Sequence, residues 1–270
     1  MTRYLIALDL DGTLLQDWKS MSPNTISYLR GLSDAGHTIV IATGRPFRSS
    51  ERFYDQLGLT TPIINYNGGL ITNKHDPDFP RFNLSIPRDY LIDIHKRNES
   101  IIENAFGEVL DDIYLWKDTD KIRPLLHYFN GATLTVGPFD EILRHDPNGF
   151  LVVCHDGLAH RLEDDIATRY DGKLLARNWG ADYDHVVEIY TPDTSKGRGL
   201  AYVAEHLGFE RENIIAFGDA HNDIEMLEYA GWGVAMHNAQ DVLKAHADDV
   251  TTRSNTEDGL IDYLKRWLSK

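Results

Sequence analysis

The sequence predicts a doubly wound α/β core built on a mostly parallel sheet, with a second α/β domain inserted into it. Two observations carry this. Three short apolar runs, Tyr4-Leu5-Ile6-Ala7-Leu8, Thr38-Ile39-Val40-Ile41-Ala42 and Asn213-Ile214-Ile215-Ala216-Phe217, each end in polar, loop-forming residues. Helix-like segments lie between and after them, so that strand and helix alternate at both ends of the chain. Continuous apolar runs of this length, rich in β-branched residues, have the pattern of strands buried on both faces of a parallel sheet.

The helices follow from their punctuation. Ser22 to Ala35 opens on a serine cap with proline at the first helical position and stops at Gly36. Pro46 to Leu57 stops at Gly58, and Lys196 to Leu207 stops at Gly208. Pro62 to Asn65, Trp232 to Ala235 and Asp249 to Thr251 add strands, and Ala239 to His246 and Glu257 to Leu268 add helices. From about Asn83 to Val187 no strand ends in a cluster of catalytic residue types. Helix-like Asp89 to Lys96, Thr119 to Tyr128 and Leu158 to Tyr170 alternate there with strand-like Leu134 to Val136, Phe150 to Cys154 and Val186 to Tyr190. The expected organisation is a core of residues 1–82 and 188–270 interrupted by an inserted α/β domain, 83–187, reached through turn-rich segments near Asp76 to Pro80 and Thr191 to Ser195.

Composition narrows the function. The 270 residues carry 42 acidic and 27 basic side chains, a formal charge of −15. Such a surface repels nucleic-acid phosphates and anionic membranes. A small phosphate ester would need local cations, which a bound divalent metal and one or two placed basic side chains supply. The single cysteine, Cys154, excludes an internal disulfide and every Cys-x-x-Cys metal site. No apolar run reaches membrane-spanning length and no signal-peptide pattern opens the chain, so a cytoplasmic protein is expected.

In an open parallel sheet, ligands bind beyond the carboxyl ends of the strands. The first run ends in Asp9-Leu10-Asp11-Gly12-Thr13, the second in Thr43-Gly44-Arg45 and the last in Gly218-Asp219-Ala220-His221-Asn222-Asp223. A lone aspartate after a strand is usually a cap or a turn; three such clusters at one sheet edge point to a site. Asp9 and Asp11, two apart in an extended segment, leave the chain on the same side. Carboxylates this close repel one another, and Asp219 adds a third, so a cation is expected. Oxygen ligands without His or Cys suit Mg²⁺. One carboxylate can then attack phosphorus while the other handles protons. Thr43 offers a hydroxyl, Gly44 a close-approaching amide, and Lys196 an ammonium at a helix N-terminus; a first-turn lysine is more often solvated.

These segments resemble the four motifs of the haloacid dehalogenase-like superfamily, in its Cof-type phosphatase branch (class IIB, with a C2 cap). The motifs are Asp9-Leu10-Asp11-Gly12-Thr13-Leu14, Ala42-Thr43-Gly44-Arg45, Ser195-Lys196-Gly197 and Gly218 to Asp223. Further similarity lies in Asn65-Tyr66-Asn67-Gly68-Gly69, Val234 to Ala239 and Asn255 to Gly259. The resemblance implies that Asp9 is the nucleophile and a metal ligand. Asp11 would be the general acid and base, lending its backbone carbonyl to Mg²⁺. Asp219 would be the other carboxylate on the metal, with Asp223 behind it. Thr43, Gly44, Lys196, Asn222 and the Leu10 amide would hold the phosphoryl oxygens. The insertion would be a C2-type cap. His237 and Arg198 stand where the family commonly has a glycine and a small or hydroxyl residue.

The function expected is Mg²⁺-dependent hydrolysis of a small phosphomonoester, a sugar phosphate or related metabolite, through an aspartyl-phosphate. The alternatives are a phosphomutase using the same Asp-x-Asp pair and a non-catalytic phosphate-binding regulatory module. A small phosphorylated metabolite is the partner expected, without nucleic acid or membrane, on a monomer or weak homo-oligomer. Neither a full P-loop, nor Gly-x-Gly-x-x-Gly after the first strand, nor a Gly-x-Ser-x-Gly elbow occurs. His221 would face substrate or solvent. Trp116, Trp179 and Tyr183 would stack on a ligand or pack the insertion. Glu188 would bind a hydroxyl or sit exposed on its strand.

Overall fold

The computed structural model describes residues 2–127, 131–180 and 183–269. The chain divides into two compact units, one formed by Met1–Arg45, Ser50–Phe82 and Ser195–Lys270, the other by Pro46–Ser49 and Asn83–Thr194.

The first unit is built on five parallel strands, β1 (Leu5–Leu8), β2 (Thr38–Ile41), β3 (Ile214–Gly218), β4 (Trp232–Ala235) and β5 (Asp249–Val250), in the order β5-β4-β3-β1-β2. Leu5 to Leu8 pair with Ile214 to Phe217 on one side and with Thr38 to Ile41 on the other. All four residues of β1 and of β2 are buried, as continuous apolar runs require in a sheet covered on both faces. The chain steps from β1 outward to β2, then returns to the opposite flank of β1 for β3, β4 and β5. The strand order therefore reverses at the β1–β3 pair, where an open α/β sheet leaves its ligand crevice.

Capping chemistry fixes the helices around this sheet. Ser22 accepts from the amides of Asn24 and Thr25 to start the helix Pro23–Asp34. Ser195 accepts from the Arg198 amide to start Lys196–Leu207, which Gly208 ends in the left-handed region. The segment expected as a helix over Ala239 to His246 forms only the single turn Asp241–Lys244, because Gln240 is extended at φ −59°, ψ 143° and caps the turn from outside it.

The second unit has a six-stranded sheet in the order Leu134–Val136, Asp112–Leu115, Ile102–Val109, Gly149–Cys154, Val186–Tyr190, Leu175–Asn178. Its first pair is parallel and the others antiparallel. The helices Arg88–Asn98 and Ala159–Tyr170 bury Leu91, Ile94, Leu162 and Ile166 in the same apolar cluster as Phe150, Val152 and Ile189 of the sheet. The helix expected over Thr119 to Tyr128 is reduced to a 3-10 turn, Arg123–Leu125. Pro124 explains this, since a proline cannot supply an interior amide; Tyr128 itself lies outside the described residues. No helix among the described residues is long and apolar enough to cross a membrane.

Candidate active site

The turns after β1 and β3 meet where the sheet reverses. Leu10 is buried, and its carbonyl accepts from the amides of Thr13, Leu14 and Leu15, curling the chain back immediately past Asp9. Gly12 sits at φ +78°, and a β-carbon there would lie 2.1 Å from Asp219 Oδ2. Glycine is thus required twice, by the backbone conformation and by the approach of the carboxylate.

Lys196 is the centre of the arrangement. Its side chain is fully buried, with Nζ 2.5 Å from Asp9 Oδ1 and 2.6 Å from Asp223 Oδ1. The other Asp223 oxygen accepts from the Asp219 and Ala220 amides at 3.0 and 3.1 Å, so both oxygens of Asp223 are committed. Asp219 accepts weakly from the Thr13 hydroxyl at 3.5 Å. Asp9, Asp219 and Asp223 each place one carboxylate oxygen within 4.8 Å of the others. Burial pushes the Asp9 carboxyl well up; Lys196 opposes this, while Asp223, Asp219 and Asp11 reinforce it. Burial would lower the Lys196 ammonium, but Asp223 and Asp9 outweigh it and hold the group charged. The charged ammonium 2.5 Å away favours the ionised form of Asp9 against that burial, and surplus negative charge remains on Asp219. Burial first, then Asp223, pushes Asp219 up to about 7.

A divalent cation fits that surplus. The donors are all hard oxygens, two of the three carboxylates carry raised affinities for protons, and one ammonium cannot neutralise three carboxylates. The sign of the resulting pH dependence is fixed. Asp219 binds its proton more tightly folded, at about 7, than at its ordinary 3.8. Its contribution to stability is therefore full below about pH 4 and lost as the pH rises to about 7. In protein stripped of divalent ions, the melting temperature of wild type minus that of Asp219→Asn should fall across this interval. Added Mg²⁺ should reverse the fall; a flat difference in scanning calorimetry would contradict the assignment.

The residues after β2 form the neighbouring wall. Thr43 is buried, and its hydroxyl accepts from the Arg45 amide at 3.1 Å. Its carbonyl accepts from the Asn67 amide, and the Asn67 side chain accepts from Asn222 Nδ2 at 2.9 Å. A β-carbon on Gly44 would lie 3.1 Å from Asn67 Oδ1. Tyr66 and Asn67 both hold positive φ, 49° and 52°, a conformation costly outside glycine and found where the surroundings enforce it. Gly68 follows at φ +95°, with the Ser195 carbonyl 2.1 Å from where its β-carbon would stand.

The structure thus brings Asp9, Asp219, Asp223 and Lys196 into direct contact or near contact, and ties Thr43 and Gly44 to Asn222 through Asn67. Asp11 is placed differently: its carboxylate is held by Arg45 rather than gathered with the other three. The motifs give Arg45 and Asn67 no role; their place in polar, glycine-containing turns just past a strand-like run is the sequence signal that marks them, and both are buried. Asn238, exposed, donates to the Gly12 carbonyl at 2.8 Å and accepts from the Asn255 amide, which accounts for the two later motifs as braces for the first turn. His221 is half-buried, its amide bonded to Gln240. His237 and Arg198 are exposed; the amide of one bonds Thr251 Oγ1 and that of the other caps its helix on Ser195. In the second unit, Trp116 packs edge-on against His95, Trp179 against Tyr183, and Glu188 pairs with Arg177 at 2.7 Å.

Known proteins share this chain's sequence and fold. The sequence model for haloacid dehalogenase-like hydrolases matches residues 6–264. The chain is 39% identical over 267 residues, 98% of each protein, to the 5-amino-6-(5-phospho-D-ribitylamino)uracil phosphatase YitU of Bacillus subtilis. It is 30% identical, again over 98% of each, to the pyridoxal phosphate phosphatase YbhA of Escherichia coli. A haloacid dehalogenase-like hydrolase from Bacteroides thetaiotaomicron superposes with a TM-score of 0.84 at 26% identity, covering 98% of this chain and 99% of the other.

Proposed function

The chain belongs to the haloacid dehalogenase-like hydrolase family, as a Cof-type phosphoric monoester hydrolase, and from that premise we propose that it hydrolyses a small phosphorylated metabolite through an aspartyl-phosphate on Asp9, with Mg²⁺. The observation that carries this reading is the fully buried Lys196 bonded to Asp9 and Asp223, with Asp219 beside them at the reversal of the sheet.

Asp9 attacks phosphorus as the bond to the leaving oxygen breaks, and Asp11 gives that oxygen its proton. Asp11 then takes a proton from water, which attacks the phosphorus of the aspartyl-phosphate and frees Asp9. Lys196 keeps Asp9 ionised and aims its free oxygen. Thr43, Asn222 and the amides of Gly44 and Leu10 hold the phosphoryl oxygens, where charge accumulates in the transition state. Asp9, Asp219 and the Asp11 carbonyl would hold the cation, with Asp223 fixing Lys196 and the Asp219 loop from behind. When bound, the ion supplies positive charge to the carboxylates and the phosphoryl oxygens. The second unit, which runs on past the expected boundary at 187 to Thr194, would be the cap.

The first substrate to test is 5-amino-6-(5-phospho-D-ribitylamino)uracil, on which the 39% identical relative is named as acting. A phosphate-release panel should include it with sugar phosphates and pyridoxal phosphate. Release should require Mg²⁺, stop on chelation and return on adding Mg²⁺, with Ca²⁺ substituting badly because its looser coordination misplaces the phosphoryl group. Isotope from labelled water should enter the released phosphate. Transfer of the phosphoryl group to a second sugar hydroxyl instead would make the enzyme a mutase, and no release from any ester would end the reading.

A further inference from the structure

Arg45 has no part in the chemistry above, yet it is among the most tightly bound side chains of the first unit. Its Nε and Nη2 donate to the two oxygens of Asp11 at 2.7 and 2.5 Å, and Nη2 donates again to the Trp18 carbonyl at 2.9 Å. The Arg45 side chain is 5% exposed, whereas the Asp11 side chain is 32% exposed. The backbone of Arg45 is fixed as well: its amide bonds Thr43 Oγ1, and its carbonyl accepts from Asn65 Nδ2 and the Tyr66 amide. The guanidinium also lies 5.6 Å from the Phe53 ring and 5.9 Å from the Trp18 ring.

A carboxylate gripped on both oxygens by a planar fork has its position and the plane of its oxygens set together. Trp18 lies between Leu15–Asp17 and Ser20–Met21, the strands of a hairpin that begins four residues after Asp11. The base of that hairpin is tied separately, by Asn255 Nδ2 to the Leu15 carbonyl at 2.6 Å. A single buried guanidinium therefore clamps the solvent-facing carboxylate to the hairpin that follows it.

We propose that Arg45 is a positioning residue that orients the Asp11 carboxylate toward the leaving oxygen and couples that orientation to the hairpin carrying Trp18. This rests on the proton-transfer role of Asp11 given above. Its consequence is selective. An ester of an aliphatic alcohol needs a proton on the departing oxygen, while p-nitrophenolate leaves without one. Because kcat/KM reports the steps through departure of the leaving group, later hydrolysis of the aspartyl-phosphate does not enter the comparison.

Arg45→Lys keeps the charge and loses the fork; Arg45→Met keeps the stem and loses the charge. Both should lower kcat/KM for an alkyl phosphate about 100-fold, of the order proton transfer contributes. The loss on p-nitrophenyl phosphate should be at least about tenfold smaller. On an Asp11→Asn background the selectivity should vanish, since the residue being positioned is gone. Equal losses on the two esters, selectivity that persists in the Asp11→Asn background, or the collapse of both variants' cooperative melting would overturn the proposal. Wild type inert on both esters with Mg²⁺ would overturn it together with the reading beneath it.

Discussion

Asp9→Asn should lower turnover by more than about 1,000-fold while leaving the protein folded. The amide cannot attack phosphorus usefully, and the neighbouring carboxylates are not placed to replace it: both oxygens of Asp223 are bonded, and Asp11 is gripped by Arg45. The stability expectation is less obvious. Asparagine keeps an oxygen that can accept from Lys196, which retains Asp223 as its ionic partner. Removing the Asp9 charge also relieves a carboxyl that burial and three neighbouring aspartates disfavour as an anion. The metal-free melting temperature should accordingly be unchanged or raised. Rapid-quench measurement with labelled substrate should find no phosphoprotein. Activity within about tenfold of wild type, or a phosphoryl group retained on the asparagine variant, would remove Asp9 from the reaction.

The fold was legible where local signals were redundant. Apolar runs, a serine cap and a closing glycine place β1, β2 and the helices Pro23–Asp34 and Lys196–Leu207 to within a residue or two. It was illegible where a strand's polar residues find partners only in the folded chain. Ile102–Val109 carries Asn104, Gly107 and Glu108, which break the apolar pattern. In the structure Asn104 donates to the Lys117 carbonyl and Glu108 pairs with Arg48, both buried. Such a strand is half-written in polar contacts, which no periodicity reports. The site shows the same division. Four motifs identified which residues gather, because each follows a strand of one sheet or opens a helix packed beside it. That Arg45 reaches Asp11, or that Lys196 is wholly buried, depends on side chains meeting across 34 and 187 residues of sequence.

That burial changes what losing Lys196 should do. As a solvated first-turn lysine it would contribute one contact to a phosphate, and its removal would cost about tenfold in kcat/KM. Buried and bonded to Asp9 and Asp223, it serves both catalysis and folding. Lys196→Met, close in volume, leaves two carboxylates in an interior from which the ammonium that bonds them both has gone. Breaking a buried pair by removing one partner costs about 3–5 kcal/mol. The metal-free variant should therefore melt far below wild type, most of all at neutral pH and above, where Asp9 would have to ionise without the ammonium. Acidifying should narrow the gap, because protonation removes the uncompensated charge. Adding Asp223→Asn should recover part of the stability without recovering activity, since the second change removes one of the stranded anions. The kcat/KM of Lys196→Met should fall by more than about 100-fold. A variant as stable as wild type across the pH range, or one whose stability the second substitution lowers further, would mean that Lys196 does not neutralise this pair.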